Sequence, residues 1–226
     1  MRLHGIGALG IAVLLALLAA GLSGSGGCAR EAPKGGSEAV EITEYDGVRL
    51  DPYFREYDNS IQGPQSVDPA AYRLEVAGLV ERPLSLTYEE ILALPKVTRA
   101  ITLYCVEGWS EHLLFEGVRV ADVIGPAGRK GEVTTVVLYA ADGYSTSLPY
   151  GDVARLDLML ASSINGRVLD ELRGFPFQLV AQSKLGYKWI KWVTRIELSD
   201  KPFSGYWEQR GYSNDADVPK AWLEGD

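Results

Sequence analysis

The chain has few of the residues that build most metal and redox centres. Its 226 residues include two cysteines, Cys28 and Cys105, and two histidines, His4 and His112. Two distant cysteines give no disulfide framework and no CxxC pair for zinc or an iron–sulfur cluster. With no CxxCH run, a c-type haem is excluded as well. Two histidines cannot make a multi-histidine metal centre. Cations are the minority, with Lys+Arg 22 against Asp+Glu 30, a formal net charge of −8 and no basic run. That argues against nucleic acid, whose phosphates need clustered positive charge. Long hydrophobic runs are also missing. The longest apolar stretch, Ile6 to Leu22, is too short for a comfortable membrane span.

The rest of the composition is that of an ordinary globular protein, 46% hydrophobic and 23% charged, with room for one domain or at most two small ones. Residues 1–27 read as an export signal. Arg2 supplies the positive end, the apolar stretch follows, and Ser23 to Gly27 are all small. Cys28 comes next, as in a lipoprotein processing site, although Ser25 stands where leucine is usual. The mature chain would then begin at Cys28 with lipid on its sulfur. Residues 28–56 form a polar, glycine-containing tether and lead-in, and residues 57–226 the folded domain with its C-terminal tail. The expected location is outside the cytoplasm, periplasmic and lipid-anchored to a membrane.

Along the folded part, 72–80 and 97–106 read as strands, and VTTVVLYAADGYSTSLPY as two strands about the Asp142-Gly143 turn. SLTYEEILALP reads as a helix begun by Ser85 or Thr87 and ended by Pro95. GVRVADVIG reads as a short amphipathic helix, and DVARLDLMLASSING as helical or irregular. FPFQLVA and WIKWVTRIELS are strands, and the aromatic tail is expected to pack down through Tyr206 and Trp207. The fold class is therefore α+β, mixed β-sheets with short helices.

Two stretches carry candidate chemistry. Cys105 ends an apolar strand and precedes Val106-Glu107-Gly108-Trp109-Ser110, where Gly108 permits a sharp turn. It could be an inert core thiol, a nucleophile with His112 as base, a redox thiol paired with Cys28, or a single thiolate ligand to a metal otherwise held by a cofactor. The second stretch, SKLGYKWIKWVTR, sets Lys188 and Lys191 among aromatics after Gly186. Two cations near one surface suit an anionic group such as a phosphate, and they equally suit a plain amphipathic strand with solvent-facing lysines.

Taken in order, nine stretches resemble the molybdopterin-binding domain of the sulfite oxidase family, on the side of its bacterial periplasmic methionine sulfoxide reductase catalytic subunits. They are DNSIQGPQ, YRLEVAGLVERPLSLTYEEILALP, ITLYCVEGWS, FEGVRVADVI, DGYSTSLP, INGRVL, GFPFQLV, LGYKWIKWVTRIEL and GYWEQRGYS, running from about Tyr57 to Pro219. The resemblance implies Mo-molybdopterin as cofactor, with Cys105 as the protein ligand to molybdenum and the catalytic residue. It implies that Asn59 contacts the cofactor near the metal, followed by Gln62 and Gly63, and that Ala140 offers backbone to the pterin. Arg173 and Gln178 would flank the turn facing the cofactor. Trp189, Ile190 and Lys191 would present N–H groups and a cation to its phosphate, with Lys188 alongside.

The implied activity is two-electron oxygen-atom transfer on a small sulfoxide- or sulfite-like compound. Electrons would pass to or from a separate partner, a membrane haem protein or a cytochrome. The rival reading is a cofactor-free, lipid-tethered binding domain that keeps the fold. Three positions depart from the common pattern: Arg173 stands where many members have His or Asn, Gln178 where many have Arg, and Phe115 where Trp is usual. The start MRLHG carries one arginine where export of folded enzymes normally uses two.

Overall fold

The structure, a computed structural model, describes residues 40–53 and 60–223. Cys28, Asn59 and the export signal lie outside the described residues. The chain opens with a small hairpin, β1 (Glu44–Tyr45) and β2 (Val48–Arg49), followed by β3 (Arg73–Gly78) and β4 (Leu84–Thr87). Helix α1 (Tyr88–Leu92) leads to β5 (Lys96–Tyr104) and β6 (Ser110–Arg119), then α2 (Val120–Ile124), β7 (Thr135–Ala140) and β8 (Ser145–Pro149). Then come α3 (Asp152–Arg155), β9 (Met159–Ile164), β10 (Arg167–Val168), β11 (Gln178–Val180), β12 (Val193–Ser199) and α4 (Lys220–Leu223).

Two five-stranded sheets result. One has the order β4-β3-β12-β7-β8, in which β12 lies parallel to β3 and antiparallel to β7. The other runs β10-β9-β6-β5, with β11 paired to β9. Leu74 and Val76 of β3, Leu113 and Phe115 of β6, Leu160 of β9 and Ile196 of β12 belong to one buried cluster, so both sheets share a core.

The expected class holds, and three local readings change. Thr87 caps α1 in a capping box with Glu90, but Leu84–Thr87 ahead of it is strand, so the helix begins later than Ser85. The stretch read as helical or irregular contains only one helical turn, α3, before β9. Five of the six β9 residues are buried, because the strand is covered on both faces and flanked by β6, β10 and β11. A strand covered on both sides lacks the apolar–polar alternation that marks a half-buried one. Residues 40–53, assigned to the lead-in by their polarity, are packed into the fold. Leu50 and Tyr53 are buried, the Ile42 N–H donates to the Asn165 carbonyl, and the Asp51 N–H donates to the His112 carbonyl.

The longest hairpin positions the site. Strands β5 and β6 pair from Lys96↔Val118 to Tyr104↔Ser110, leaving 105–109 as the loop. The Cys105 N–H donates to the Trp109 carbonyl at 2.8 Å, and the Gly108 N–H donates to the Cys105 carbonyl at 3.0 Å. Gly108 takes φ +88°, a region closed to most side chains, and so lets the loop close on itself.

Candidate active site

Cys105 stands at the edge of a cavity of about 460 Å³. The β5–β6 loop forms one wall, Gln178 of β11 and the single turn Gly186–Lys188 another, and the C-terminal tail a third through Trp207 and Tyr212. The thiol is free and partly buried. Burial pushes its pKa up, an effect that the Glu107 N–H partly offsets and the Glu107 charge reinforces. The Sγ lies 3.9 Å from the Glu107 carboxylate.

Three of the positions expected to face the cofactor do line this cavity: Arg173, Gln178 and Trp189, together with the cation of Lys191. Lys191 is held on a constrained stretch of backbone. The next residue, Trp192, has φ +50°, its N–H donates to the Gly174 carbonyl at 3.3 Å, and its indole donates to the Glu171 carbonyl at 2.8 Å. Gly174 presses on Lys191 so closely that a Cβ there would sit 2.7 Å from the Lys191 Cβ. The Lys191 Nζ lies 5.5 Å from the centre of the Trp192 ring. Ile190 faces a smaller adjoining recess, which Lys191 and Trp189 also line.

Other expected positions lie elsewhere. Lys188 is fully buried, and its ammonium donates to Glu208, to the Ser147 carbonyl at 2.8 Å and to Asn214 at 3.1 Å. It thus neither faces solvent nor reaches the cavity, contrary to the reading of two cations on one surface. Sequence spacing could not separate the two lysines, because the partner acid is supplied by the distant tail. The main-chain groups of Ala140 are already engaged: its N–H donates to Tyr144 and its carbonyl accepts from Gly143. The Trp189 N–H is likewise engaged, donating to the Gly186 carbonyl at 3.0 Å. Gln62 is exposed and Gly63 has φ +79°. They follow Ile61, whose N–H donates to Asp142 at 3.1 Å, so this segment docks on the Asp142-Gly143 turn.

His112 does not serve Cys105. It sits on β6 with Nδ1 2.9 Å from the Thr102 hydroxyl and lines a different surface groove, so no Cys/His dyad forms. Among the described residues, no group of three or more His, Cys, Asp or Glu could hold a metal ion alone.

The sequence reading missed Glu111, Trp109, Trp207 and Tyr212, all of which line the cavity. For Glu111 a signal was there: it falls in phase with Leu113 and Phe115 on the inward side of β6, an acid where the alternation asks for an apolar residue. Its carboxylate is 1% exposed and holds the Arg173 guanidinium at 2.9 and 3.3 Å. Arg173 also donates through Nε and Nη2 to the Tyr53 carbonyl. The tail aromatics gave no positional signal, since only tertiary packing brings them over the cavity.

A single soft sulfur lining a large, aromatic-walled cavity, with a lysine seated on a rigid turn, suits a bulky anionic cofactor held through one thiolate. The residues present fit molybdopterin: Cys105 could take the metal and Lys191 the phosphate. In agreement with this, residues 61–207 match the family described as oxidoreductase molybdopterin binding domain, and the chain belongs to that family. An uncharacterized oxidoreductase of Bacillus subtilis (strain 168), YuiH, is 34% identical over 150 residues, covering 66% of this chain and 76% of that one. The protein-methionine-sulfoxide reductase catalytic subunit MsrP of Gluconobacter oxydans is 31% identical over 154 residues, covering 60% of this chain and 49% of that one. The sulfane dehydrogenase SoxCD from Paracoccus pantotrophus superposes with a TM-score of 0.59 at 29% identity, over 62% of this chain and 41% of that one. The chain therefore spans about half or less of the length of the last two. It is an oxidoreductase domain of the molybdopterin class.

Proposed function

We propose that the domain catalyses two-electron oxygen-atom transfer at a molybdenum centre ligated by the Cys105 thiolate, on a small sulfoxide- or sulfite-like compound. The observation that carries this reading is the free Cys105 thiol at the rim of the cavity that Lys191 also lines. Mo-molybdopterin, when bound, supplies the two-electron couple. The protein's own residues do the rest. Cys105 gives up its proton to become a donor, and Lys191 balances phosphate charge. Trp109, Trp207 and Tyr212 wall the cavity, and Arg173 and Gln178 offer N–H donors to an oxygen acceptor.

In the reductive direction a sulfoxide leaves as a thioether and its oxygen as water, consuming two protons and two electrons. In this reading the electrons are exchanged with a separate partner, a membrane haem protein or a cytochrome. The apolar stretch before Cys28 supports export and lipid anchoring outside the cytoplasm. Among the described residues no helix is long and apolar enough to cross a membrane.

Elemental analysis of protein from a host that makes molybdopterin, with release of the oxidised pterin fluorophore, tests the reading. About one molybdenum per chain is expected. Metal-free protein from such a host overturns it.

A further inference from the structure

We propose that the cavity between α2, α3 and the end of β12 is a second ligand site, built for a small amphipathic carboxylate, an organic acid with an apolar body and one anionic head. It has about 330 Å³ and shares no lining residue with the Cys105 cavity, so it stands apart from the chemistry proposed there. Its size is at the small end of ligand pockets, which run from about 300 to 1,000 Å³. The floor is apolar: Ile124 of α2, Val153 of α3 and Leu198 of β12 are each 5% exposed or less. Two polar side chains line the same space, Arg129 and Tyr150, and the guanidinium lies 5.6 Å from the centre of the tyrosine ring. Among the described residues Arg129 has no ion pair and the Tyr150 hydroxyl no hydrogen bond. Glu81 packs on Gly128 without lining the cavity.

Both side chains stand on fixed backbone. The Gly128 N–H donates to the Gly125 carbonyl at 3.1 Å and the Lys130 N–H to the Leu79 carbonyl at 3.0 Å, one residue to either side of Arg129. The Tyr150 N–H donates to the Thr134 carbonyl at 2.8 Å, and its carbonyl accepts from the Val153 N–H at 3.1 Å. Acids outnumber cations 30 to 22 in this chain, yet a ring and not a carboxylate is set against this guanidinium. A ring contact uses none of its five N–H donors. A planar carboxylate matches that fork with two parallel bonds, and the phenol adds one more donor. An inorganic anion would use the donors and leave the apolar floor wet. A hydrocarbon would cover the floor and leave the donors without an acceptor. One molecule with both ends satisfies both.

Calorimetry on the purified full chain tests the site with sodium octanoate. Acetate serves as the head alone, and octylammonium as the same tail with the opposite charge. Octanoate is expected to bind with Kd below about 1 mM, and the other two at least about tenfold more weakly. Arg129→Gln should weaken octanoate about tenfold, the scale of one charge-assisted hydrogen bond. Ala154 is exposed and lines the cavity, so Ala154→Trp should fill the space and abolish binding without touching the core. Lys130→Gln removes the neighbouring cation and should change the affinity less than about threefold, since an exposed charge outside the contact is screened. Circular dichroism confirms the fold of each variant. Octanoate that does not bind, that binds no better than octylammonium, or that Arg129→Gln and Ala154→Trp hold as well as wild type overturns the proposal. Acetate bound as tightly as octanoate overturns it too, because the floor then contributes nothing. Equal losses in Lys130→Gln and Arg129→Gln would reduce the site to diffuse attraction and sink it as well. Wild type with the three probes decides even where a variant fails to fold.

Discussion

The Lys188 ammonium and the Glu208 carboxylate meet inside the protein, with side-chain exposures of 0% and 2%. Lys188 belongs to the turn beneath the cavity. Glu208 opens the short turn Glu208–Arg210, next to Trp207 in the cavity wall. Thr146 of β8 donates to the same carboxylate oxygen at 2.6 Å. The pair therefore fastens the tail to the turn Gly186–Lys188, and Thr146 ties it to β8.

Removing one partner leaves a buried charge uncompensated, which costs about 3–5 kcal/mol. Lys188→Met or Glu208→Leu alone should lower Tm by on the order of 10 °C. The double variant Lys188→Met/Glu208→Leu should recover much of that loss, because two apolar groups leave no charge behind. Thermal unfolding followed by circular dichroism reads all three. If the double variant falls by the sum of the two singles, the residues are not energetically coupled.

Gly174 and Lys191 give the second prediction. At φ +93°, with a Cβ clash at 2.7 Å, Gly174→Ala forces the Lys191 backbone to move. It should cost more than 1 kcal/mol of stability and also weaken cofactor retention. Lys191→Ala should spare the fold, within about 0.5 kcal/mol, yet lower cofactor affinity roughly 10- to 100-fold, the loss expected for one charge-assisted hydrogen bond to a phosphate. Urea unfolding of the metal-free protein, set beside molybdenum retained after gel filtration, separates the two effects. Equal losses for Lys191→Ala in both measurements would leave it no particular role in holding the cofactor.

These residues show how far the sequence could be read. The mixed sheets, the Asp142-Gly143 hairpin and the Thr87 cap were legible because turn chemistry and strand alternation are local. Cys105 was legible as the one thiol in the folded part. Strand β9 was not, since burial on both faces removes the alternation that would have marked it. Lys188 and Lys191 look equivalent three residues apart. Only the tail, folding back to bring Glu208 against one of them, sends Lys188 inward and leaves Lys191 at the cavity. Pairings across such sequence distances, Arg173 with Glu111 among them, carry no local signature.

Anchoring through Cys28 gives a third prediction. Each buried lipid CH₂ contributes about 0.8 kcal/mol, and several acyl chains hold stably where one is marginal. Cys28→Ser should move the protein to the soluble fraction with molybdenum content unchanged. Intact mass spectrometry of the membrane form should find acyl chains on Cys28. A Cys28→Ser protein that stays with the membrane would rule the anchor out.

The last prediction concerns the pH at which Cys105 becomes available. An unperturbed thiol titrates near pH 8.5. Burial raises the Cys105 value, so in the metal-free protein less thiolate is present at neutral pH than on an unfolded chain. Alkylation follows the thiolate. Iodoacetamide should therefore modify folded, metal-free Cys105 more slowly at pH 7.5 than urea-unfolded protein, with a rate that keeps climbing above pH 9. Bound molybdenum should block the reaction at every pH, since it takes the same sulfur. Stability follows the same linkage. The folded state keeps the proton past the pH where the unfolded thiol loses it, so the contribution is complete below about pH 8.5 and is lost as pH rises through the folded value. Comparing metal-free wild type with metal-free Cys105→Ala by urea unfolding at pH 7.5 and pH 10 isolates that contribution. The wild type should lose more stability between the two than the variant does. A thiol that reacts fastest near neutrality, or a wild type that gains on the variant as pH rises, would show the opposite shift and place an activating cation beside Cys105 instead of burial.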